Sequence, residues 1–253
     1  MERNEYGFCS LWTEQMTLGN YAEMYLNKVF AEDYFFNRIR LKQEAFGAKN
    51  LANKIAKKCK EIGVVPYLHV FERDLDGLLP RQEFAVLDTM SVLRNHSKKN
   101  ESTDAANQAG DGIINVEIIN SDKLCEWIEI FCSSFMVPDW RHELEIRIAR
   151  NFEKLHLVIC YLDKAPAGCA ALFNTEKLMG LYCLGTLPQF RARGVASRLV
   201  RHSMRIAEAQ GTDLFLQTLS SHRLARFYSR LGFRSHYRKK ILTVSSTSDA
   251  ANL

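Results

Sequence analysis

The spacing of hydrophobic positions over residues 113–244 changes several times, and each change predicts an element. "GIINVEII", "LHLVICYLD", "APAGCAALFN" and "LMGLYCLGTL" are short apolar or alternating runs of the kind that form strands. Between the first two, "DKLCEWIEIFCSSFMVPDW" brings Leu124, Trp127, Ile128, Phe131 and Phe135 to one helical face, and a second helix is expected around Arg141 to Phe152. A helix from about Gly194 to Gln210 turns Ala196, Leu199, Val200, Ser203 and Ala207 inward and leaves Arg198, Arg201 and Arg205 outward. The strand "DLFLQTL", a short helix in "RLARFYSRLGF" and a last strand, "HYRKKILTV", complete the run.

The earlier part of the chain has a similar rhythm. "NYAEMYLNKVFAEDYFFNRIR" carries Tyr21, Met24, Tyr25, Leu26, Val29 and Phe30 at helical spacing behind Asn20, a residue type suited to an N-cap, and so predicts a helix. "AKNLANKIAKKCKEIG" predicts another, stopping at Gly63, and "VVPYLHVF" and "FAVLDTMSVL" read as strands. Residues 94–112, "RNHSKKNESTDAANQAGDG", have linker composition. The expected organisation is therefore an N-terminal domain over 1–97, a linker over 98–112, a second domain over 113–245 and a flexible tail over 246–253. Strands alternating with helices predict an α/β (α+β) fold with a mixed, mostly antiparallel sheet flanked by helices. "LLPRQEFAVLDTMSVL" and "SRLGFRSHYRKKILTV" each close on an apolar strand after a turn, a sign that the two segments are related halves.

Composition narrows the class. Of the 253 residues 47% are hydrophobic, enough to fill proper cores. The start, "MERNEYGFCSLW", has no apolar signal core and no 18 apolar residues run together, so a cytoplasmic protein without a membrane partner is expected. The seven cysteines are scattered without a CxxC pair, which favours reduced thiols packed in cores over disulfides, and no metal site is expected. The net charge of +5 is unevenly placed. Between Thr186 and Lys240 twelve Lys and Arg face only Glu208 and Asp213, a local +10 that leaves −5 for the rest of the chain. So concentrated a positive field points to an anionic ligand, with a solvated basic face or a nucleic-acid surface as the competing readings.

The charge is densest at "LGTLPQFRARGVASRL", residues 184–199. A strand running through a loop directly into a helix aims several backbone N–H groups at one point, with the positive end of the helix dipole behind them, and such a point binds phosphate. Gly194 lets the backbone approach an anion, Ala196 and Ser197 keep the next positions small, and Arg191 and Arg193 add charge. Neither GxxxxGK[ST] nor GxGxxG is present, which excludes the usual nucleotide loops. On these residues alone, a plain strand-to-helix turn is the alternative.

"PQFRARGVA" resembles the acyl-CoA-binding signature of the GNAT acyltransferase superfamily, [QR]xxGx[GA], with Arg191, Gly194 and Ala196 at its fixed places. "RLARFYSRLGF" is similar to the family's second element, AxxxYxxxGF, through Ala225, Phe227, Tyr228, Gly232 and Phe233. The resemblance covers residues 113–245. Residues 1–97 resemble a lobe without a cofactor loop, because "EAFGAKNLA" lacks an Arg or Gln three residues before Gly47; a tandem arrangement with one active cofactor site is implied.

The resemblance implies an N-acetyltransferase that uses acetyl-CoA as cosubstrate and a primary amine, on a small molecule or a protein, as acceptor. The pyrophosphate would rest on Arg191, Ala192, Arg193, Gly194, Val195, Ala196 and Ser197, and the pantetheine arm would pair with the strand near Leu184 and Thr186. A main-chain N–H there would polarise the thioester carbonyl. Tyr228 would donate to the departing thiolate, although its bland reading is a core tyrosine. His222, where many relatives carry asparagine, would reach the cofactor arm or cap the helix. For the general base, Glu143, Glu145, Tyr182 and solvent remain open, and the acceptor would be lined by aromatics such as Trp127, Phe131, Phe135 or Trp140, a lining that serves equally as core. The alternatives are a non-catalytic acyl-CoA sensor or scaffold and a nucleic-acid binder; the second is disfavoured because the arginines lack interleaved exposed aromatics.

Overall fold

The computed structural model describes residues 1–78, 83–95 and 113–245; the expected linker and tail lie outside them. In chain order the elements are α1 (Glu2–Ser10), β1 (Glu14–Leu18), β2 (Ala22–Leu26), β3 (Arg38–Leu41), α2 (Leu51–Ile62), β4 (Leu68–Phe71), β5 (Phe84–Asn95), β6 (Ile114–Ile118), α3 (Leu124–Phe135), α4 (Arg141–Asn151), β7 (Leu155–Leu162), β8 (Ala165–Thr175), β9 (Leu178–Thr186), α5 (Val195–Ala209), β10 (Asp213–Leu219), α6 (Ala225–Arg230) and β11 (Phe233–Val244). They assemble two compact units that interleave along the sequence. The first comprises Met1–Phe8, Leu93–Gln217 and Ala225–Arg234, and the second Cys9–Val92, Thr218–Leu224 and Ser235–Leu253, within the described residues.

In the second unit, β1 and β2 form a hairpin in the register Leu18↔Ala22, β3 pairs antiparallel with β2, β4 runs parallel to β3, and β11 pairs antiparallel with β4 over Lys239–Leu242. The helix expected over residues 20–40 is not there. Gly19, with φ +52°, turns the hairpin in place of an Asn20 cap. Beyond β2, side chains take the backbone groups a helix would need: Asn27 Oδ1 accepts from the Val29 N–H at 2.9 Å, the Asn27 N–H donates to Asn37 Oδ1 at 2.7 Å, and Asp33 Oδ1 accepts from the Phe35 and Phe36 N–H groups. The helical spacing was deceptive because Met24, Tyr25 and Leu26 are all buried, which hides the alternation of β2. The helix at α2 forms as expected, with Gly63 left-handed at its end and Leu51, Ala52, Ile55 and Cys59 packed on Met24, Ile39 and Leu68.

The first unit contains the strand order β10-β9-β8-β7-β6, antiparallel except for the parallel β9–β10 pair. On one face α5 presses Val195, Leu199, Val200, Ser203 and Ala207 into a core with Val158, Leu172, Leu181 and Leu216; Val195 takes the inward place expected of Ala196. On α3, Trp127 and Phe131 are core, with the Trp127 indole donating to the Ala170 carbonyl at 2.9 Å. The N-terminal helix belongs here as well. Asn4 is buried on the β8–β9 hairpin, and Phe8 stacks on Tyr182 with ring centres 3.8 Å apart. Both units thus run hairpin, antiparallel third strand, helix, parallel strand. The α/β architecture with a mixed sheet flanked by helices agrees with the sequence reading. All seven cysteines are free.

Candidate acyl-CoA site

The site begins with an irregularity in β9. Cys169 pairs with Gly185, but Ala171 pairs with Tyr182, so Cys183 and Leu184 together oppose Ala170. This is a β-bulge, with Cys183 in the left-handed region at φ +52° and its carbonyl accepting from the Cys169 thiol at 3.6 Å. Nothing in the residue types announces it, since Cys has no preference for positive φ. Beside it the sheet opens: β9 and β10 pair only over Leu178–Leu181 and Asp213–Leu216, and the remainder of β9, from Tyr182 to Thr186, runs past without a β10 partner.

Beyond β9 a 3-10 turn, Pro188–Phe190, leads to Ala192 at φ +61° and Gly194 at φ +84°, which caps α5 without a side-chain hydrogen bond. Among the described residues, no carbonyl takes the N–H groups of residues 192 to 197. Successive unclaimed donors at a helix N-terminus form a feature, a cradle of N–H groups, that can take an anion. A Cβ on Gly194 would meet no atom closer than Ile114 Cδ1 at 3.8 Å, so what favours glycine there is the left-handed conformation rather than packing. Gly168 is required by packing: its Cβ would lie 2.7 Å from both the Gly185 oxygen and Val195 Cγ1, where α5 comes down on the sheet.

Arg191 behaves as a brace. Its guanidinium donates to the Thr186 carbonyl at 3.3 Å and to the Ser134 carbonyl at 3.1 Å, tying the loop to β9 and to the end of α3. Arg193, exposed like Arg191, lies over the Phe190 ring and 3.9 Å from Asp163. Tyr228 shares the core under α5 with Val195 and Leu199, and Leu184 packs at its margin. The Tyr228 ring meets Phe227 and Phe233 edge-on, and burial, with no charge or hydrogen bond to offset it, pushes the phenol up to about 12.

That shift has a stability consequence. A phenol that ionises near 10 unfolded and near 12 folded adds nothing to the pH dependence below 10, and stability falls as pH climbs from 10 to 12, by about 2 to 3 kcal/mol. Urea midpoints at pH 8 and pH 11.5 should show this extra loss in the native chain and not in a Tyr228→Phe chain. Tyr25 and Tyr161 are also pushed up to about 12, so the difference between the two chains, rather than the total loss, isolates Tyr228.

The remaining candidates differ in their surroundings. His222 lies in the second unit beside Asp88. Burial works to raise Asp88, but hydrogen bonds from the Ser221 side chain and the Thr89 and Ser221 N–H groups, with His222 nearby, outweigh it and hold the carboxyl low. Glu143 is bound to Arg147 at 2.7 Å. The Tyr182 hydroxyl donates to Asn4 Oδ1 at 2.8 Å, so it is engaged in structure rather than poised as a base. Phe135 is exposed, and Trp140 half-buried. Among the described residues no group of three or more His, Cys, Asp or Glu could hold a metal ion.

Residues 123–233, which carry the bulge, the loop, α5 and Tyr228, match the model of the acetyltransferase (GNAT) family. This stretch is a GNAT acetyltransferase domain. No curated protein matches the chain. Among solved structures, the chain resembles a GCN5-related N-acetyltransferase from Kribbella flavida at 15% identity and TM-score 0.68, covering 98% of this chain and 96% of that one. It also resembles a functionally unknown conserved protein from Staphylococcus epidermidis ATCC 12228 (14%, TM-score 0.66, 95% and 98%) and a GCN5-related N-acetyltransferase from Sphaerobacter thermophilus (13%, TM-score 0.63, 90% and 81%). At such identities the likeness is one of fold.

Proposed function

We propose that the protein is an acyl-CoA-dependent N-acetyltransferase that moves an acetyl group from acetyl-CoA to a primary amine by direct attack in a ternary complex. The observation that carries this reading is the run of six unclaimed N–H groups over residues 192–197, set immediately after a bulged strand whose end has no partner on one side. A pyrophosphate fits the first feature, and the amides of a pantetheine arm fit the second, as an added strand would. Backbone groups released at Leu184 polarise the thioester carbonyl, so the oxyanion of the tetrahedral intermediate gains a donor it lacks in water. The amine nitrogen forms the new bond to carbon, the carbon–sulfur bond breaks, and Tyr228 donates a hydrogen bond to the leaving sulfur. With Tyr182 and Glu143 engaged, the acceptor loses its proton to Glu145 or to water before attack.

The second unit, which repeats the order of elements of the first, is read as a related lobe without a cofactor loop, giving a tandem protein. No helix among the described residues is long and apolar enough to cross a membrane, and the reading takes the reaction to be cytoplasmic. The other reading, a non-catalytic acyl-CoA sensor, keeps the cradle and makes Tyr228 a packing residue.

Calorimetric titration with acetyl-CoA tests the cradle. Native protein should bind at micromolar levels, and a Gly194→Val chain at least about tenfold more weakly, since a β-branched residue at φ +84° costs about 1 to 2 kcal/mol and intrudes on the anion. Failure of the native chain to bind acetyl-CoA or coenzyme A would overturn the proposal. Binding makes a panel of amines the next step, with transfer to any of them separating enzyme from sensor.

A further inference from the structure

The end of α3 lies directly on β9, one residue beyond the bulge. A Cβ on Gly185 would sit 2.8 Å from Ser134 Cβ and 3.1 Å from Phe135 Cε2, so there is no room for a side chain at 185 and the Phe135 ring faces bare backbone. That ring is held in place. Trp127, anchored through its indole to the carbonyl of Ala170, the residue opposite the bulge, stacks on Phe131 at 5.5 Å, and Phe131 packs on Phe135 at 4.8 Å. Arg191 then ties the same end of α3 to Thr186. Cradle, bulge and aromatic column are therefore braced together.

Two features of this corner go unused by the core. Phe135 keeps 43% of its surface exposed although its neighbours in the column are buried, so an aromatic face stands open beside the bulge. Ser134, only 6% exposed, has a sealed hydroxyl oxygen with no hydrogen-bond partner, 3.0 Å from the Cβ position at Gly185. A buried hydroxyl without a partner is costly, so this corner is not held for the stability of the core alone.

We propose that Phe135 sets the length of the acyl group, closing the space beyond the bulge so that a two-carbon chain fits and a longer one meets the ring. This rests on the acyltransferase reading and adds to it a residue that determines which thioester is used. The wall is rigid because its ring belongs to a braced column, and packed aromatic groups do not give way to extra methylenes without strain.

The test is a series of dissociation constants for coenzyme A, acetyl-CoA, butyryl-CoA and octanoyl-CoA, with thermal unfolding run on every variant. Native protein should bind acetyl-CoA at least about tenfold more tightly than octanoyl-CoA. Phe135→Ala should bring octanoyl-CoA to within about twofold of acetyl-CoA while coenzyme A itself is held as before. Phe135→Trp, which keeps the ring and enlarges it, should weaken acetyl-CoA but not coenzyme A, and decides the matter should the alanine variant fail to fold. Equal affinity of the native chain for acetyl-CoA and octanoyl-CoA, or a preference that survives in Phe135→Ala, overturns the assignment of Phe135 and leaves the acyltransferase reading standing. Failure of the native chain to bind even coenzyme A overturns that reading, and this inference falls with it.

Discussion

A Tyr228→Phe chain is expected to transfer acetyl about 100-fold more slowly than the native chain while binding acetyl-CoA within about twofold of it. The ring stays in the substitution, so its edge-on contacts with Phe227 and Phe233 and its place in the core under α5 are kept, and only the hydroxyl is lost. At about 12 that hydroxyl holds its proton throughout the neutral range, so it is always available to donate. Complete transfer of the proton to a thiolate of ordinary pKa, about 8.5, would run uphill by roughly 5 kcal/mol. On the acyltransferase reading its contribution is a hydrogen bond to the departing sulfur, present in the transition state and absent with the bound thioester, so the rate should fall and the affinity should not. The sulfur ends as a thiolate and takes its proton from water. Unchanged turnover in the variant would remove Tyr228 from the chemistry; binding without turnover in either chain, against a broad amine panel, would favour the sensor.

The residues that carried this reading differ in how visibly they announce themselves. Arg191, Gly194 and Ala196 stand close together where the loop enters α5 because the backbone geometry of a strand-to-helix turn acts locally there, and local demands leave local patterns. α5 and α2 are legible for the same reason: one apolar face and, for α2, a glycine at its left-handed end. β2 was hidden because residues on both of its faces are buried, so burial no longer alternates with position. The bulge at Cys183 left no trace, since the register of two strands, rather than a turn residue, imposes it. Arg191 was legible as a cation but not as a brace, because the Ser134 carbonyl it holds lies 57 residues earlier in the chain. For α1 the separation is greater still. Its partners on the β8–β9 hairpin follow it by some 170 residues, and a short polar segment read alone gives no hint of them.

Replacement of Asn4 by leucine tests that long-range attachment, and a loss of about 3 to 5 kcal/mol is expected. Leucine keeps the number and branching of the side-chain heavy atoms but is bulkier, so a residue only 1% exposed loses its hydrogen bonds and is overpacked as well. Asn4 Nδ2 donates to the carbonyls of Phe173 at 2.9 Å and Leu178 at 3.1 Å and to the Thr175 hydroxyl at 2.8 Å, and its Oδ1 accepts from the Tyr182 hydroxyl. Each buried group deprived of its partner costs about 1 to 3 kcal/mol, and leucine deprives several at once. The fit is close on every side: a Cβ on Gly180 would lie 2.6 Å from Asn4 Oδ1, and one on Gly7 3.0 Å from the Phe173 ring. In scanning calorimetry the loss should lower the melting temperature by about 10 °C. Asn4→Asp, which keeps the acceptor for Tyr182 and removes the donors, should fall between native and leucine chains unless its charge is buried uncompensated, in which case it is the worse of the two. Tyr182 immediately precedes the bulge, so loosening it should also weaken acetyl-CoA binding, although Asn4 belongs to the N-terminal helix and to none of the motifs of the site. A shift below about 2 °C with unchanged binding would mean that α1 lies on the hairpin without supporting it.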